Sequence, residues 1–321
     1  MKTLILILAL LTSPMTWAAD LTATYQHNYD FEVILNALDI EKLQETEIIL
    51  IPGIVSETFD SRDTRGVFDF SLIFKNYLGA QYDNYRQLGL SVTSLPGSSR
   101  SVAETLAQIE TEMKIVMGQG KKAMFITHSL GGLVLLDYLA HNQKAVTSVK
   151  GIVFLQPPFH GSPVASVYFK NPYHARTMLG PIMPFVNTSE ETVRYLTLES
   201  RVKVMAGYSE GIKKLVNSIP VVTAGGVSLN YPSLFRPSIN IVGHGCVTVI
   251  NGVCRSAKLY QGPYDDSDGM VPFENSKLPG ADFVRLAGVD HGETVLAMPF
   301  KNVNRVRMTD ALLKIVLDQQ K

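Results

Sequence analysis

Lys121-Lys122-Ala123-Met124-Phe125-Ile126-Thr127-His128-Ser129-Leu130-Gly131-Gly132 reads as a strand running straight into a helix through one serine. A turn of that kind can force the serine into a strained backbone and lift its hydroxyl above the sheet. Crowding then demands small residues two before and two after; Gly131 satisfies this, while Thr127 is larger than the usual glycine. The helix that follows aims its amino end at the serine, where it stabilises developing negative charge. A serine in this place can also simply cap an ordinary helix. The rest of the machinery decides between the two.

A serine hydroxyl is a weak nucleophile at neutral pH, so it needs a base and an acid to orient that base. For a nucleophile on a strand–turn–helix, the acid and then the base follow it along the chain. His160, His174, His244 and His291 all follow Ser129 with room for an acid between, but past Asp268 only His291 remains. His291 comes just after the apolar run ending at Leu286, where a base is expected. The block Asp265-Asp266-Ser267-Asp268-Gly269-Met270-Val271-Pro272 offers three acids. Asp268 is preferred because Gly269 permits a tight turn toward the base. Asp265 and Asp266 are read as solvated turn residues or as cation ligands, although their spacing completes no ligand loop, and no metal or cofactor is expected. Asp290 is a rival acid by position, but adjacent side chains seldom point the same way.

An oxyanion needs two backbone N–H donors. Leu130, directly after the nucleophile, supplies one, and Pro52-Gly53-Ile54-Val55 sits where the second should arise, with Ile54 the preferred donor.

These residues require short buried strands alternating with amphipathic helices, the mark of a parallel sheet with crossover helices. Strands are expected at Glu47–Ile51, Gln87–Thr93, Lys121–Ile126, Ser148–Leu155, Ile239–Val242 and Phe283–Leu286. Ser101 and Glu104 form a capping box before a helix whose apolar face is Val102, Leu106, Ile109, Met113 and Val116. Ser162-Pro163 opens another helix, and Val303–Leu317 closes the chain with one. Between them, about residues 165–235 break the rhythm and are expected to form an inserted cap, with a helix near Glu190–Val204. An ordered insertion of that size usually serves function.

Of the 321 residues 46% are apolar and 18% charged, so a sizeable core is expected, and the mean hydropathy of +0.11 allows an apolar surface patch. Basic and acidic residues balance at 29 each, which leaves no electrostatic footprint for nucleic acid. Met1-Lys2, the apolar run Leu4–Leu11 and Thr16-Trp17-Ala18-Ala19-Asp20 describe an export signal over residues 1–18, cleaved after Ala18 to leave 19–321. A secreted or periplasmic location follows. Export makes a disulfide the default for Cys246 and Cys254, which flank the hairpin signal Asn251-Gly252. A two-residue turn there would not set the cysteines directly opposite, so either the turn lies elsewhere or a bulge intervenes.

The sequence resembles the bacterial triacylglycerol lipases and related esterases of the α/β-hydrolase superfamily, over most of Ile48–Glu293. Leu50-Ile51-Pro52-Gly53-Ile54 is similar to their oxyanion strand, with Pro52 where histidine is usual. Thr127-His128-Ser129-Leu130-Gly131-Gly132 resembles their Gly-His-Ser-x-Gly-Gly, and Pro158–Ala165 their Pro-His-x-Gly-Ser segment. Ser267–Pro272 and Val289-Asp290-His291 resemble the blocks that carry acid and base. The resemblance implies an α/β-hydrolase fold, a mostly parallel sheet flanked by helices with an inserted cap. It also implies Ser129, Asp268 and His291 as a triad, Ile54 and Leu130 as oxyanion donors, and ester hydrolysis through an acyl-enzyme on an ester or lipid substrate. A short-chain or polyester esterase, an acyltransferase on the same triad, and a non-catalytic binding module are the alternatives. Met178, Leu179, Ile182, Met183, Phe185 and Val186 read either as the core of the cap or as a lid that touches a lipid surface.

Overall fold

The structure, a computed structural model, describes residues 18–31, 34–54, 77–97, 101–170, 188–228, 246–250, 253–256, 266–297 and 303–320. Outside them lie nearly all of the export signal, the apolar cluster 178–186, the expected strand 239–242, His174, His244 and Asp265.

Six strands form one sheet in the order β2-β1-β3-β4-β5-β8, and every neighbouring pair is parallel. They are β1 (Thr46–Ile51), β2 (Ser91–Ser94), β3 (Lys122–His128), β4 (Val149–Leu155), β5 (Val221–Val227) and β8 (Asp282–Ala287). Side chains alternate across a strand, and here the alternation feeds two cores. Ile49, Ile51, Phe125 and Phe154 join the core on one face. Ile48, Leu50, Met124, Ile126 and Val153 join the core on the other. That double burial explains why the strands read as unbroken apolar runs.

The helices follow as crossovers. They are α1 (Thr22–Asp30), α2 (Ala37–Gln44), α3 (Gly79–Gln87), α4 (Val102–Gly118), α5 (Leu130–His141), α6 (Gln143–Val146), α7 (Pro163–Lys170), α8 (Glu190–Tyr195), α9 (Leu198–Gly207), α10 (Ser209–Ser218) and α11 (Arg305–Asp318). Ser101 caps α4 by accepting from Glu104 N–H at 3.2 Å, and Ile109, Met113 and Val116 are buried beneath it. The mostly parallel sheet flanked by helices is as expected.

Three local readings change. The strand expected over Gln87–Thr93 begins only at Ser91, because α3 runs through Gln87. Gly89, at φ 73°, closes α3: its N–H reaches Arg86 O at 3.0 Å and Leu90 N–H reaches Tyr85 O at 3.0 Å. The helix expected over Glu190–Val204 is broken in two, since Thr197 starts α9 by accepting from Ser200 N–H at 3.3 Å. Finally, the stretch expected as a cap contains a core strand, β5, paired to both β4 and β8. Ala224-Gly225-Gly226 disguises it, because a run of small residues carries little strand propensity. Their smallness is required in the fold: a Cβ on Gly226 would lie 2.5 Å from Val289 O and 2.9 Å from Asp268 Cβ.

Helices α8 and α9 dock on α5, the helix that follows Ser129. Arg201, fully buried, donates from Nε to Phe159 O at 3.3 Å and approaches Asp137 Oδ1 of α5 at 3.5 Å; the Tyr195 hydroxyl donates to the same carboxylate. The antiparallel strands β6 (Cys246–Ile250) and β7 (Val253–Ser256) pair apart from the main sheet. Ile250 opposes Val253, and the register shifts between Cys246 and Thr248; Asn251 and Gly252 lie outside the described residues. Cys254 then faces Val249 while Cys246 faces Ser256, so the backbone register does not set the cysteines opposite one another. Their side chains lie outside the described residues.

Candidate active site

Residues just past the carboxyl ends of β1, β3, β4, β5 and β8 meet at one place, next to the point where the chain passes from the edge strand β2 back to β3. Open parallel sheets bind ligands at such reversals of strand order.

Ser129 stands between β3 and α5 with φ 50° and ψ −122°, a region that residues with a Cβ rarely occupy. Strain of this kind persists only where the surroundings over-determine it, and here they do. Ser129 N–H donates to Leu155 O at 3.0 Å, and Gly132 N–H donates to Ser129 O at 3.1 Å. A Cβ on Gly131 would lie 2.4 Å from Pro52 O and 2.8 Å from Ile51 O, so only glycine lets α5 start against the end of β1. Thr127 is accommodated with its side chain fully buried, and its Oγ1 has no hydrogen-bond partner among the described residues.

His291 Nε2 lies 3.0 Å from Ser129 Oγ, and His291 Nδ1 lies 2.8 Å from Asp268 Oδ2. Only one proton arrangement serves both contacts for a neutral ring: Nδ1–H donates to the carboxylate, and Nε2 accepts from the hydroxyl. Asp268 is held from behind by Met270 and Val271, whose N–H groups donate to Oδ1 at 2.9 and 2.8 Å. Its turn depends on Gly269, at φ 99°. The backbones are joined as well, since His291 N–H donates to Asp268 O at 3.0 Å. Ser228 N–H donates to Ser267 O at 2.9 Å, which returns the acid loop to the end of β5.

The other candidates separate. Asp266 pairs with Arg285, which neutralises its carboxylate away from the histidine. Asp290 Oδ1 accepts from Gly292 N–H at 3.0 Å, a local turn contact, while its neighbour His291 points to Asp268. His160 is half-buried, its N–H donating to Asn275 O at 3.0 Å, and burial lowers its pKa. The segment Pro158–Ala165 braces the acid loop: Ser162 Oγ donates to Met270 O at 2.7 Å, and Asn275 Nδ2 donates to Gly161 O at 2.8 Å.

Ile54 and Leu130 flank the serine from the two sides of the β1–β3 seam, both buried. A Cβ on Gly53 would lie 2.9 Å from Ser129 Cβ, so the β1 loop passes directly against the serine. Leu130 opens α5, and a first-turn N–H has no partner within its own helix.

Three further residues stand behind Ser129 and His291, and the sequence reading gives none of them a role: Tyr77, His128 and Gln156. His128 is buried, and burial, with a smaller effect of repulsion from a protonated His291, pushes its pKa down to about 3. Gln156, at φ 50° and fully buried, accepts at Oε1 from Thr294 Oγ1 at 2.8 Å and donates from Nε2 to Asp290 O at 2.9 Å. A buried polar residue directly after strand β4 was a usable signal for Gln156; nothing in the sequence marks Tyr77.

No protein-family model matches this sequence, and no curated protein matches it. Among solved structures it is similar to a metagenomic carboxyl esterase, at 15% identity over 86% of this chain and 76% of that one, with a TM-score of 0.61. It is similar to a Bacillus licheniformis lipase in mature form, at 16% identity over 76% of this chain and 84% of that one, with a TM-score of 0.53. Lipase 1 from Pelosinus fermentans aligns at 9% identity over 87% of this chain and all (100%) of that one, with a TM-score of 0.52. Identities this low speak to architecture. An all-parallel core with crossover helices on both faces, matched to these three structures, makes this an α/β-hydrolase fold.

Proposed function

We infer that this protein is a serine carboxylic-ester hydrolase that works through an acyl-enzyme. The observation that carries the reading is the unbroken chain Ser129 Oγ–His291–Asp268, at 3.0 and 2.8 Å, on a serine held in a strained turn.

In this reading Ser129 Oγ attacks the ester carbonyl carbon while His291 Nε2 takes its proton. Asp268 holds the ring through Nδ1–H and stabilises the imidazolium. The N–H groups of Ile54 and Leu130 bind the oxyanion, helped by the amino end of α5. His291 then protonates the departing alcohol, and the carbonyl carbon stays bonded to Ser129 as an acyl ester. Water, deprotonated by the same histidine, attacks that ester and releases the acid, returning the proton to Ser129. An alcohol in place of water would make the same machinery an acyltransferase.

A fluorophosphonate probe should label Ser129 in the wild type and fail on Ser129→Ala, with nitrophenyl-ester turnover lost alongside. Retained turnover in that variant would sink the assignment. A non-catalytic binding module accounts less well for the hydrogen-bonded order Ser129–His291–Asp268 on a serine held at φ 50°.

A lipase-like enzyme is the first reading of the substrate, supported by the names of the structural neighbours, a carboxyl esterase and two lipases. Turnover on short- and long-chain nitrophenyl esters separates it from a short-chain or polyester esterase. Vesicle binding would test transient contact of the cap with lipid. The export signal makes the enzyme secreted or periplasmic, and sequencing the amino terminus of the exported chain should begin at Ala19. A thiol count on the same unfolded material decides between a Cys246–Cys254 bridge and two free thiols.

A further inference from the structure

Behind the Ser129–His291–Asp268 chain runs a second line of hydrogen bonds that the mechanism above does not use. Gly53 N–H donates to Tyr77 Oη at 3.0 Å. The Tyr77 hydroxyl is in short contact with His128 Nδ1. His128 Nε2 lies 2.7 Å from His291 O and 3.3 Å from Gln156 Oε1.

The protons along this line follow by elimination. A backbone carbonyl can only accept, so His128 Nε2 must carry a hydrogen to meet His291 O. Gln156 Nε2 already donates to Asp290 O, which leaves its Oε1 as a second acceptor for the same Nε2–H. The ring is buried and its pKa is pushed down to about 3, so it is neutral and Nδ1 is bare. Tyr77 therefore gives its hydroxyl proton to Nδ1 while its oxygen accepts from Gly53. The line runs one way, Gly53 N–H to Tyr77 O–H to His128 N–H to His291 C=O.

The two ends of the line are the loops that matter most for the proposed reaction. Gly53 precedes Ile54 at the end of β1, and His291 follows β8, with β3, β4 and β5 lying between those strands in the sheet. No backbone ladder joins loops so far apart. We propose that Tyr77 and His128 are positioning residues that brace the oxyanion loop against the carbonyl of the general base, fixing the distance between the two across the floor of the site. The proposal rests on the reading of Ser129, His291 and Asp268 given above.

The packing fits a brace. The Tyr77 and His128 rings meet edge-on with centroids 5.6 Å apart, and the His128 and His291 rings lie 4.9 Å apart. A Cβ on Gly53 would stand 2.6 Å from Tyr77 Oη, so the loop lies directly on the hydroxyl. A second imidazolium that close to a protonated His291 would oppose the very charge that catalysis creates. A neutral His128 supplies a dipole without that repulsion.

Tyr77→Phe removes one hydroxyl and leaves the ring. It should lower kcat on a short-chain nitrophenyl ester about 10- to 100-fold, since small misplacements of reacting groups cost that much. KM should stay within roughly 2-fold, because no substrate contact is lost. His128→Leu removes both the donor toward His291 O and the acceptor for Tyr77, so it should fall at least as far. The double variant should fall no further than the worse single one, because both break one line. In the native enzyme, nitrogen-15 NMR of labelled histidine should show His128 as the neutral Nε2–H form, untitrated between about pH 5 and 8. Unchanged kcat in Tyr77→Phe, multiplicative losses in the double variant, or an Nδ1–H or charged His128 would each overturn the proposal. The NMR measurement needs no substrate and no variant to fold. Loss of fluorophosphonate labelling in the wild type would instead sink the hydrolase reading alone.

Discussion

His291 Nε2 sits 3.0 Å from Ser129 Oγ although 162 residues separate them in the chain. The strands β3 and β8 that deliver them are not neighbours: β4 and β5 lie between. What closes the gap is the acid loop, which is tied to the end of β5 by Ser228 and to His291 by both backbone and carboxylate. His291 is thus placed by the Asp268 loop, and not only oriented by its carboxylate.

Asp268→Asn should expose that dependence. An amide can present its NH2 to Nδ1 and so favour the wrong tautomer of His291. Turnover should drop by on the order of 10⁴-fold while the fold survives. Steady-state kinetics beside a circular-dichroism melt would check it; near-wild-type turnover would shift the acid role to another residue.

Gly131→Ala tests the strand–helix junction. The added methyl would meet two backbone oxygens, those of Pro52 and Ile51, which no rotamer change can move aside. Destabilisation of roughly 3 kcal/mol is expected, with loss of fluorophosphonate labelling. Gly118→Ala is the control, since a Cβ there meets nothing within 4 Å, and it should leave both measurements unchanged or slightly raise stability.

Thr127→Val replaces a fully buried hydroxyl that has no hydrogen-bond partner among the described residues. Removing an unsatisfied polar atom without changing shape should leave turnover intact and raise stability by about 1 kcal/mol in chemical denaturation. A lower stability would mean that the hydroxyl has a partner, such as a bound water.

Asp310 gives the pH dependence. Burial raises its pKa from 3.8 to about 6, against the lowering effects of Tyr85, Asn84 and Arg307. The folded chain therefore holds this proton over a range where the unfolded chain has released it. Folding pays no penalty below pH 3.8; the penalty grows as pH rises toward 6 and is complete above it. Asp310→Asn should accordingly stabilise the protein near neutrality by up to about 3 kcal/mol and lose that advantage near pH 4. Urea melts at the two pH values decide it. An equal effect at both would rule out the charge as the cause.

Much of this was legible along the chain because its causes are local. The apolar runs Glu47–Ile51 and Ser148–Leu155 mark strands buried on both faces, and the Ser101 cap with its three- and four-residue spacing marks α4. The order Ser129, Asp268, His291 and the glycines at 131 and 269 could be read the same way. Strand β5 could not, because Ala224-Gly225-Gly226 looks like a loop until Phe273, Gln156 and Asp268 are packed against it. The start of β2 was misplaced because Gln87-Leu88-Gly89-Leu90 alternates like a strand, whereas Gly89 is a helix stop.

The sequence by itself thus determined the chemistry on offer: a serine in a strand-to-helix turn, an acid before a glycine, a histidine after the last apolar run. Those signals depend on side-chain type and on spacings of a few residues. Only the tertiary structure decided which groups stand behind them. Tyr77 reaches Gly53 across 24 residues and His128 across 51, and His128 reaches His291 across 163. Hydrogen bonds over such separations leave no periodicity in the chain, because they exist only once the parallel sheet has brought the ends of its strands together.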